Sequence, residues 1–262
     1  FIDKTKESGL LGFGYRHGIA VGDINNDFYP DLYVSSDFDH SDLLYINNGN
    51  KSFTNSANNQ LNHMSYSSMG NDMADINNDG LSDIFVVDMA SSNHYSSKVN
   101  MKSMNTPKFN SLVENGYHYQ YMLNTLHINK DNNMFSEIAQ LSGIGKTDWS
   151  WAPLFFDIDL DGKKDLYITN GVKKNWTYRD LQADYDSKMK TLERGLEIHE
   201  ILELVPNDIN LNNTYQNIGE FKFKDVSKSW VTPIASNSNG AAYADLDNDG
   251  DLDLVINNME EK

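Results

Sequence analysis

The sequence has no cysteine among its 262 residues. This absence excludes a disulfide scaffold and a thiolate metal site, and it fits either redox compartment. No stretch approaches the roughly 18 consecutive apolar residues that a transmembrane helix needs. Cations are also scarce, because 21 Lys and Arg stand against 38 Asp and Glu, for a formal charge of −17. Binding nucleic acid requires clustered cations, so this balance argues against a nucleic-acid partner.

A repeat organises the chain. Four segments align without gaps: GIAVGDINNDFYPDLYV from Gly18, NDMADINNDGLSDIFV from Asn71, LFFDIDLDGKKDLYI from Leu154 and AYADLDNDGDLDLVI from Ala242. Each has a short apolar run, a nine-residue acidic loop and a second apolar run rich in β-branched and aromatic residues. This pattern predicts a strand, a tight loop and a second strand.

Two further strand patterns follow each loop. They are found at 42–50 and 52–57, at 124–129 and 134–139, and at 213–219 and 221–226. The Asn-Gly and Asp-Asn-Asn steps between them are typical of hairpin turns. Each unit is therefore predicted to be four antiparallel strands, which is the blade of a β-propeller, and the fold class is all-β.

The repeat divides the chain into units. Residues 1–15 are predicted to hold the last strand of a preceding blade, with Phe1–Thr5 as that strand. The following blades are predicted at 16–67 (loop 23–31), 68–147 (loop 75–83) and 148–237 (loop 157–165), with the first two strands of another at 238–262 (loop 245–253). A propeller cannot close on these units alone, so we expect the intact protein to be longer. A removed signal peptide or a lipid anchor is compatible with the start at Phe1.

Two blades carry insertions. The loops begin at Asp23, Asp75, Asp157 and Asp245, so successive spacings are 52, 82 and 88 residues. A four-stranded blade needs about 40–50 residues. The excess is assigned to 89–121, which is rich in Ser, Asn, Met and Tyr, and to 176–205. The second insertion is predicted to be helical, because apolar residues recur at three- and four-residue steps and Pro206 follows them. These apolar residues are Leu181, Tyr185, Met189, Leu192 and Leu196.

The loops predict metal sites. Positions 1, 3, 5 and 9 bear side-chain oxygen in every copy: Asp23, Asn25, Asp27 and Asp31; Asp75, Asn77, Asp79 and Asp83; Asp157, Asp159, Asp161 and Asp165; Asp245, Asp247, Asp249 and Asp253. Alternation places the first three side chains on one side of a curling backbone. A hard cation that takes six or more oxygen ligands fits this set, and calcium is the usual one. The absence of His and Cys disfavours zinc and softer metals.

The loops also predict the remaining metal ligands and exclude the EF-hand, which is the alternative calcium-binding motif. The carbonyl at position 7 is predicted to complete the shell, from Tyr29, Leu81, Lys163 and Asp251. Position 6 is Gly in three loops, as a turn with positive φ requires, but Phe28 occupies it in the first. We therefore expect up to four Ca²⁺ ions, with the first site distorted, weaker or empty. An EF-hand is excluded, because position 12 is Val or Ile in a strand where that motif needs Glu.

At these residues the chain resembles the FG-GAP/VCBS repeat of integrin α-subunit propellers. The stretches VENGYHYQYMLNTLHIN and FSEIAQLSGIGKTDWSWAPLFFDIDLDGKKDLYITNG are similar to bacterial proteins of the cartilage acidic protein/UnbV type. The resemblance implies a calcium-bound propeller, often seven-bladed, that is secreted, surface-anchored or associated with the outer membrane. It implies no reaction, because one fold hosts many roles.

Three function classes follow. A protein-interaction or adhesion scaffold comes first, a carbohydrate-binding module second, and a calcium-dependent polysaccharide lyase or hydrolase third. No histidine falls in a catalytic motif, so we expect no enzyme. His17 could partner a loop carboxylate as readily as act in catalysis. Trp149 and Trp151 are expected to point to opposite faces of a strand and to pack in the core rather than stack on sugars. The partner is expected to be a surface or secreted protein, or alternatively a glycan, contacted through the insertions.

Overall fold

The computed structural model describes residues 1–99, 105–132, 134–178, 180–190 and 195–259. Antiparallel β-sheets dominate this part of the chain, and the helices in it are short. The predicted all-β class is therefore confirmed. None of the described helices is both long and apolar enough to cross a bilayer.

The first two four-stranded sheets are antiparallel throughout. Sheet one contains β1 (Tyr15–Gly22), β2 (Asp31–Asp37), β3 (Leu43–Asn47) and β4 (Phe53–Asn55), in that spatial order. A short helix, α1 (Ala57–Gln60), and strand β5 (Met64–Ser65) follow it. Sheet two contains β6 (Asn71–Ala74), β7 (Asp83–Val86), β9 (Thr125–Asn129) and β10 (Phe135–Glu137). Between β7 and β9, strand β8 (Gln120–Tyr121) pairs in parallel with β5.

The second half of the chain repeats this plan. Sheet three contains β11 (Ser150–Phe156), β12 (Asp165–Asn170), β14 (Asn213–Asn217) and β15 (Phe223–Asp225). Sheet four is the pair β17 (Ser238–Ala244) and β18 (Asp253–Asn258). Strands β13 (Asn210–Leu211) and β16 (Ala235–Ser236) form a separate short pair. Each acidic loop joins the first strand of a sheet to its second.

The sheets pack side by side through their first strands. Strand β6 lies between β1 and β11, and β17 lies against β11. The Asp72 carboxylate accepts a hydrogen bond from the Phe155 N–H at 2.7 Å, which ties sheet two to sheet three. The rings of Phe156 and Tyr243 stack with centroids 4.6 Å apart between sheets three and four. Apolar side chains fill the spaces between sheets one and two and between sheets two and three.

Residues Phe1–Thr5, predicted to be the last strand of a preceding blade, form no strand within the described chain, and the prediction stays untested. A strand exists only where a neighbouring strand takes its backbone hydrogen bonds. Here the backbone bonds are local turns, from the Ser8 N–H to the Lys4 carbonyl and from the Leu10 N–H to the Thr5 carbonyl. The first strand of the described chain is β1, which begins at Tyr15.

Both insertions contain helices, although only the second was expected to. The first holds α2 (Ser96–Val99) and α3 (Thr106–Glu114), and the second holds α4 (Leu181–Met189) and α5 (Ile198–Leu204). The Asn105 side chain caps α3 by accepting the Lys108 N–H, and Pro107 lies in its first turn. The apolar stripe is not continuous, because α4 ends at Met189 and Leu196 precedes α5. Leu192 lies outside the described residues.

Candidate metal loops and the opposite face

The acidic loops share one backbone geometry. In loop two, the Asp75 carboxylate at position 1 accepts the Asp79 N–H at 3.1 Å and the Gly80 N–H at 2.8 Å. The side chains at positions 3 and 5 also accept backbone hydrogen bonds: Asn77 accepts the Asp79 N–H, and Asp79 accepts the Leu81 N–H. Equivalent bonds to position 1 occur at Asp23, Asp157 and Asp245, and equivalent bonds to position 5 occur at Asp27, Asp161 and Asp249. Each loop therefore holds its own carboxylates inward.

Position 6 requires a left-handed backbone in all four loops. The φ angles are 87° at Gly80, 87° at Gly162 and 99° at Gly250, and Phe28 adopts 67°. An L-residue with a bulky side chain is strained there, and the Phe28 side chain gains no burial in return because it is 93% exposed. Position 4 is also left-handed, at Asn26, Asn78, Leu160 and Asn248. The first loop nevertheless keeps the backbone hydrogen bonds of the others.

The carboxylate at position 9, a predicted metal ligand, also accepts backbone hydrogen bonds that hold the loop to the sheet. The Asp83 carboxylate is fully buried and accepts the Ile76 N–H at 3.2 Å and the Asn129 N–H at 2.9 Å. Burial raises the pKa of Asp83 to about 7, and repulsion from Asp79 and Asp75 adds to the rise. Asp31 and Asp165 accept two backbone N–H groups in the same way, and burial raises the pKa of each. Asp253 accepts the Leu246 N–H.

An asparagine at the end of the third strand joins neighbouring loops in sheets two and three, and the sequence reasoning missed it. The Asn129 side-chain amide donates to the Ile24 carbonyl of loop one at 2.8 Å and to the Ser82 carbonyl at 3.3 Å. Asn217 does the same for the Ile76 carbonyl of loop two at 2.9 Å. The signal was present, because Asn47, Asn129 and Asn217 occupy equivalent positions in the repeat.

Position 4 adds a direct contact between loops. The Asn26 side chain donates to the Gly80 carbonyl at 3.3 Å, and the Asn78 side chain donates to the Gly162 carbonyl at 3.1 Å. Loops one, two and three are thus hydrogen-bonded in series along one edge of the sheets. A change of conformation in one loop must therefore strain the next.

The side-chain oxygens converge in a way that suits a hard cation. One carboxylate oxygen each from Asp157, Asp159 and Asp165 lie within 4.8 Å of one another. The same holds for Asp245, Asp247 and Asp249. Loops one and two offer an Asn amide at position 3, so their charge is lower. An all-oxygen set of this kind fits Ca²⁺ better than a transition metal. The carbonyls of Tyr29, Leu81, Lys163 and Asp251 stay predicted ligands.

Loops three and four differ in their electrostatics. In loop three the Lys163 ammonium pairs with the Asp161 carboxylate and lowers its pKa. In loop four position 7 is itself an acid, and hydrogen bonding to Asp249 with charge repulsion raises the pKa of Asp251. A cation in loop three would compete with Lys163 for Asp161, whereas a cation in loop four would relieve repulsion.

The opposite ends of the same strands border a cavity of about 1220 Å³. Its walls include side chains of α3, α4 and α5, so both insertions contribute to it. Trp149, Trp151 and Trp176 all line it. Trp149 and Trp151 pack against the core as predicted, but their expected placement on opposite faces was wrong. Residues two apart in a strand point to the same face.

His17 lies at this cavity and not at the metal loops. Its Nε2 is 3.9 Å from an Asp37 carboxylate oxygen at the end of β2. Of the two roles that the sequence left open for His17, partnering a loop carboxylate is therefore contradicted. His17 is the third residue of β1, and the far end of this strand leads into loop one. The length of the strand therefore keeps His17 away from that loop.

Comparison with known proteins agrees with the loop motif. The FG-GAP-like repeat family matches residues 23–86, which contain loops one and two, and residues 201–256, which contain loop four. No curated protein matches the chain. The closer likeness to cartilage acidic protein/UnbV-type proteins stays a prediction. The two matched segments are similar to FG-GAP-like repeats.

Proposed function

We propose that the chain is part of a calcium-stabilised β-propeller, outside the cytoplasm or at the cell surface, that binds a partner without catalysis. The observation that carries the proposal is the separation of two kinds of structure on the same strands. Repeated acidic loops lie at one end, and two unlike helical insertions surround a cavity at the other. Repeated parts suit a scaffold, and insertions on one face of a repeat protein are often its binding surface.

Exposed apolar side chains at both ends of the row of sheets support the propeller. Ile19 and Val21 on β1 are 62% and 61% exposed, and Val255 on β18 is 55% exposed. Strands β6 and β11, which have sheets on both sides, keep no such residues exposed. Further sheets packed on β1 and β17 would bury these side chains, as the blades of a closed ring do.

Calcium is proposed from the charge and geometry of the loops. Three converging carboxylates without a cation repel one another, so a bound Ca²⁺ would stabilise the folded loop. The loops are open to solvent at positions 3 and 5. Exposed sites of this kind suit the weak affinities of extracellular modules, where calcium is abundant.

A protein is the first partner that we propose, and a glycan is the second. The first insertion presents Tyr117 and Tyr119, which are 43% and 49% exposed, and aromatic residues are enriched in interfaces. Phe109 supports them, with its ring 6.2 Å from that of Tyr119. Met101 and Met104 of the same insertion lie outside the described residues. The glycan is favoured by the three indoles of the cavity.

Replacing residues 94–116 by a Gly/Ser linker of equal length tests this function. The replacement removes the helices but keeps the Ser92–Asp148 hydrogen bonds and the β5–β8 pair. We expect the variant to fold and to lose capture of surface proteins from native extract. The matched control is Phe28→Gly, which alters a loop and should retain capture. Equal capture by the replacement variant would contradict the proposal, and turnover of a polysaccharide by the purified protein would overturn its non-catalytic part.

A further inference from the structure

The cavity between the insertions is large enough to hold a ligand. At about 1220 Å³ it exceeds the roughly 300–1,000 Å³ of ordinary small-molecule sites. Leu112 and Phe109 of the first insertion and Tyr185 and Leu204 of the second form its walls. The ends of β1, β2 and β11 form its floor. A site assembled from both insertions and three strands is not a gap within one element.

Three of the four tryptophans of the chain converge on this cavity. The Trp151 indole donates to the Gly171 carbonyl at 2.7 Å, which fixes the plane of its ring. The Trp149 indole N–H is buried and has no hydrogen-bond partner within the described residues. Trp176 is 55% exposed at the rim. The cavity thus offers flat aromatic faces from three indoles.

Among the described residues, the polar groups that line the cavity add an acceptor and no unpaired lysine or arginine. Asp37 is only 6% exposed, with His17 at 3.9 Å. The lysine of the cavity, Lys108, is paired with Asp39 at 2.7 Å and contacts the Tyr66 hydroxyl at 3.2 Å. With Lys108 neutralised and a chain charge of −17, an anionic ligand would be repelled.

We propose that this cavity binds neutral sugar residues of a glycan. A pyranose ring has an apolar C–H face that stacks on an indole, and its hydroxyls both donate and accept. Such hydroxyls could donate to the Asp37 carboxylate oxygen that lies 3.9 Å from His17 Nε2. An apolar peptide side chain would offer that oxygen no donor, which costs about 1–3 kcal/mol. The inference rests on the insertion face being the binding face of the proposed function.

Calorimetric titration of the calcium-loaded protein with neutral oligosaccharides tests the inference. The probes are gluco-, manno- and xylo-oligosaccharides, with an oligogalacturonate as the acidic comparison. We expect a neutral probe to bind and to change tryptophan fluorescence, and the acidic probe not to bind. Trp176→Ala should weaken binding by about tenfold or more, as loss of an aromatic anchor does. Trp230→Ala, an indole outside the cavity, should leave the affinity within about twofold.

Asp37→Asn is a second variant, and it keeps the shape of the side chain. It tests the same cavity even if Trp176→Ala fails to fold. It should weaken binding while the melting temperature stays near that of the parent protein. No binding of any neutral probe at millimolar concentration, or binding that neither cavity variant alters, would overturn the inference. Loss of sugar binding with insertion-dependent protein capture intact would leave the proposed function standing.

A free polysaccharide and a glycan attached to a surface protein offer the same sugar chemistry. Enzymatic deglycosylation of the captured protein separates the two sources. If the source is a glycoprotein, deglycosylation should abolish its capture, and free oligosaccharide should compete with it. If capture survives both treatments, the cavity does not bind sugar on that partner, and a glycoprotein as the source of the glycan would be contradicted.

Discussion

The acidic loops and the helical insertions lie at opposite ends of the same sheets and differ in how their shape is set. In a loop, most hydrogen bonds join residues no more than five positions apart, such as Gly80 N–H to Asp75. In the insertions, defining contacts reach far along the chain, such as Lys108 to Asp39 and Lys174 to the Leu202 carbonyl. Local bonds let one motif recur four times, whereas distant contacts differ at each site.

Removal of calcium should have the largest effect on stability, and that effect should depend on the acidic loops and not on the first insertion. A site at free calcium about 100-fold above its dissociation constant adds about 2.7 kcal/mol to the free energy of unfolding. With several sites filled, excess chelator should lower the melting temperature strongly in a thermal scan. The 94–116 replacement should show the same shift, because it leaves every loop intact. Identical melting with and without chelator would sink the structural role of the metal.

Loss of the hydrogen bonds that link neighbouring loops should cause the next largest decrease in the free energy of unfolding. Asn129→Ala removes the bonds to the Ile24 and Ser82 carbonyls, and it leaves buried acceptors unpaired. We expect a loss of about 2–3 kcal/mol in urea unfolding. The matched control is Asn48→Ala at an exposed hairpin position, which should stay within about 0.5 kcal/mol. Equal losses in both variants would show that the link between loops carries no special weight.

His127 tests the core beneath the first insertion through pH. It is fully buried on β9 with both ring nitrogens unpaired in the described part of the chain, and burial lowers its pKa to about 3. Glu137, His63 and His118 are the charged or titratable groups that influence it. In the unfolded chain His127 takes up a proton near pH 6.5, whereas in the folded protein it stays neutral down to about pH 3. His127 therefore has no effect on the free energy of unfolding well above pH 6.5, and it destabilises the fold as the pH falls below that value.

The expected size at pH 5 is about 2 kcal/mol relative to pH 7. His127→Leu should remove that share of the pH dependence when unfolding free energies of the two proteins are compared at both pH values. Asp42 acts in the opposite sense, since burial raises its pKa to about 7 and its protonation stabilises the fold as pH falls from 7 towards 4. Because Asp42 is present in both proteins, the difference between them isolates His127. An unchanged pH dependence in His127→Leu would contradict this account.

Position 6 gives the smallest effect. Phe28→Gly relieves a left-handed backbone but loosens the unfolded chain, so we expect a gain of about 1 kcal/mol or less. Gly80→Ala is the converse, because a methyl group there meets no atom within 4 Å and only the backbone is strained. It should cost about the same amount. Stabilisation by Gly80→Ala would refute the reading of position 6 as a strained turn.

Much of the fold and of the loops could be predicted because their determinants are local. Alternating apolar residues beside an acidic nine-residue motif are enough to predict a strand, a loop and a strand, and position 6 shows the positive φ that its glycines indicated. The strand predicted at Phe1–Thr5 is not formed in the described chain, because a strand depends on a neighbouring strand that the sequence does not display. The third-strand asparagines were missed because their acceptors lie as far as 141 residues away, as for Asn217 and Ile76.

The sequence by itself determined the repeat, the antiparallel sheets, the oxygen-rich loops and the helical character of the second insertion. Each depends on side chains and backbone within a few residues of one another. The tertiary structure alone decided that neighbouring loops are hydrogen-bonded in series, that Asp83 is buried, and that Trp149, Trp151 and Trp176 meet in one cavity. These features arise where sheets pack side by side, because packing brings together groups whose separation in the chain carries no periodic signal.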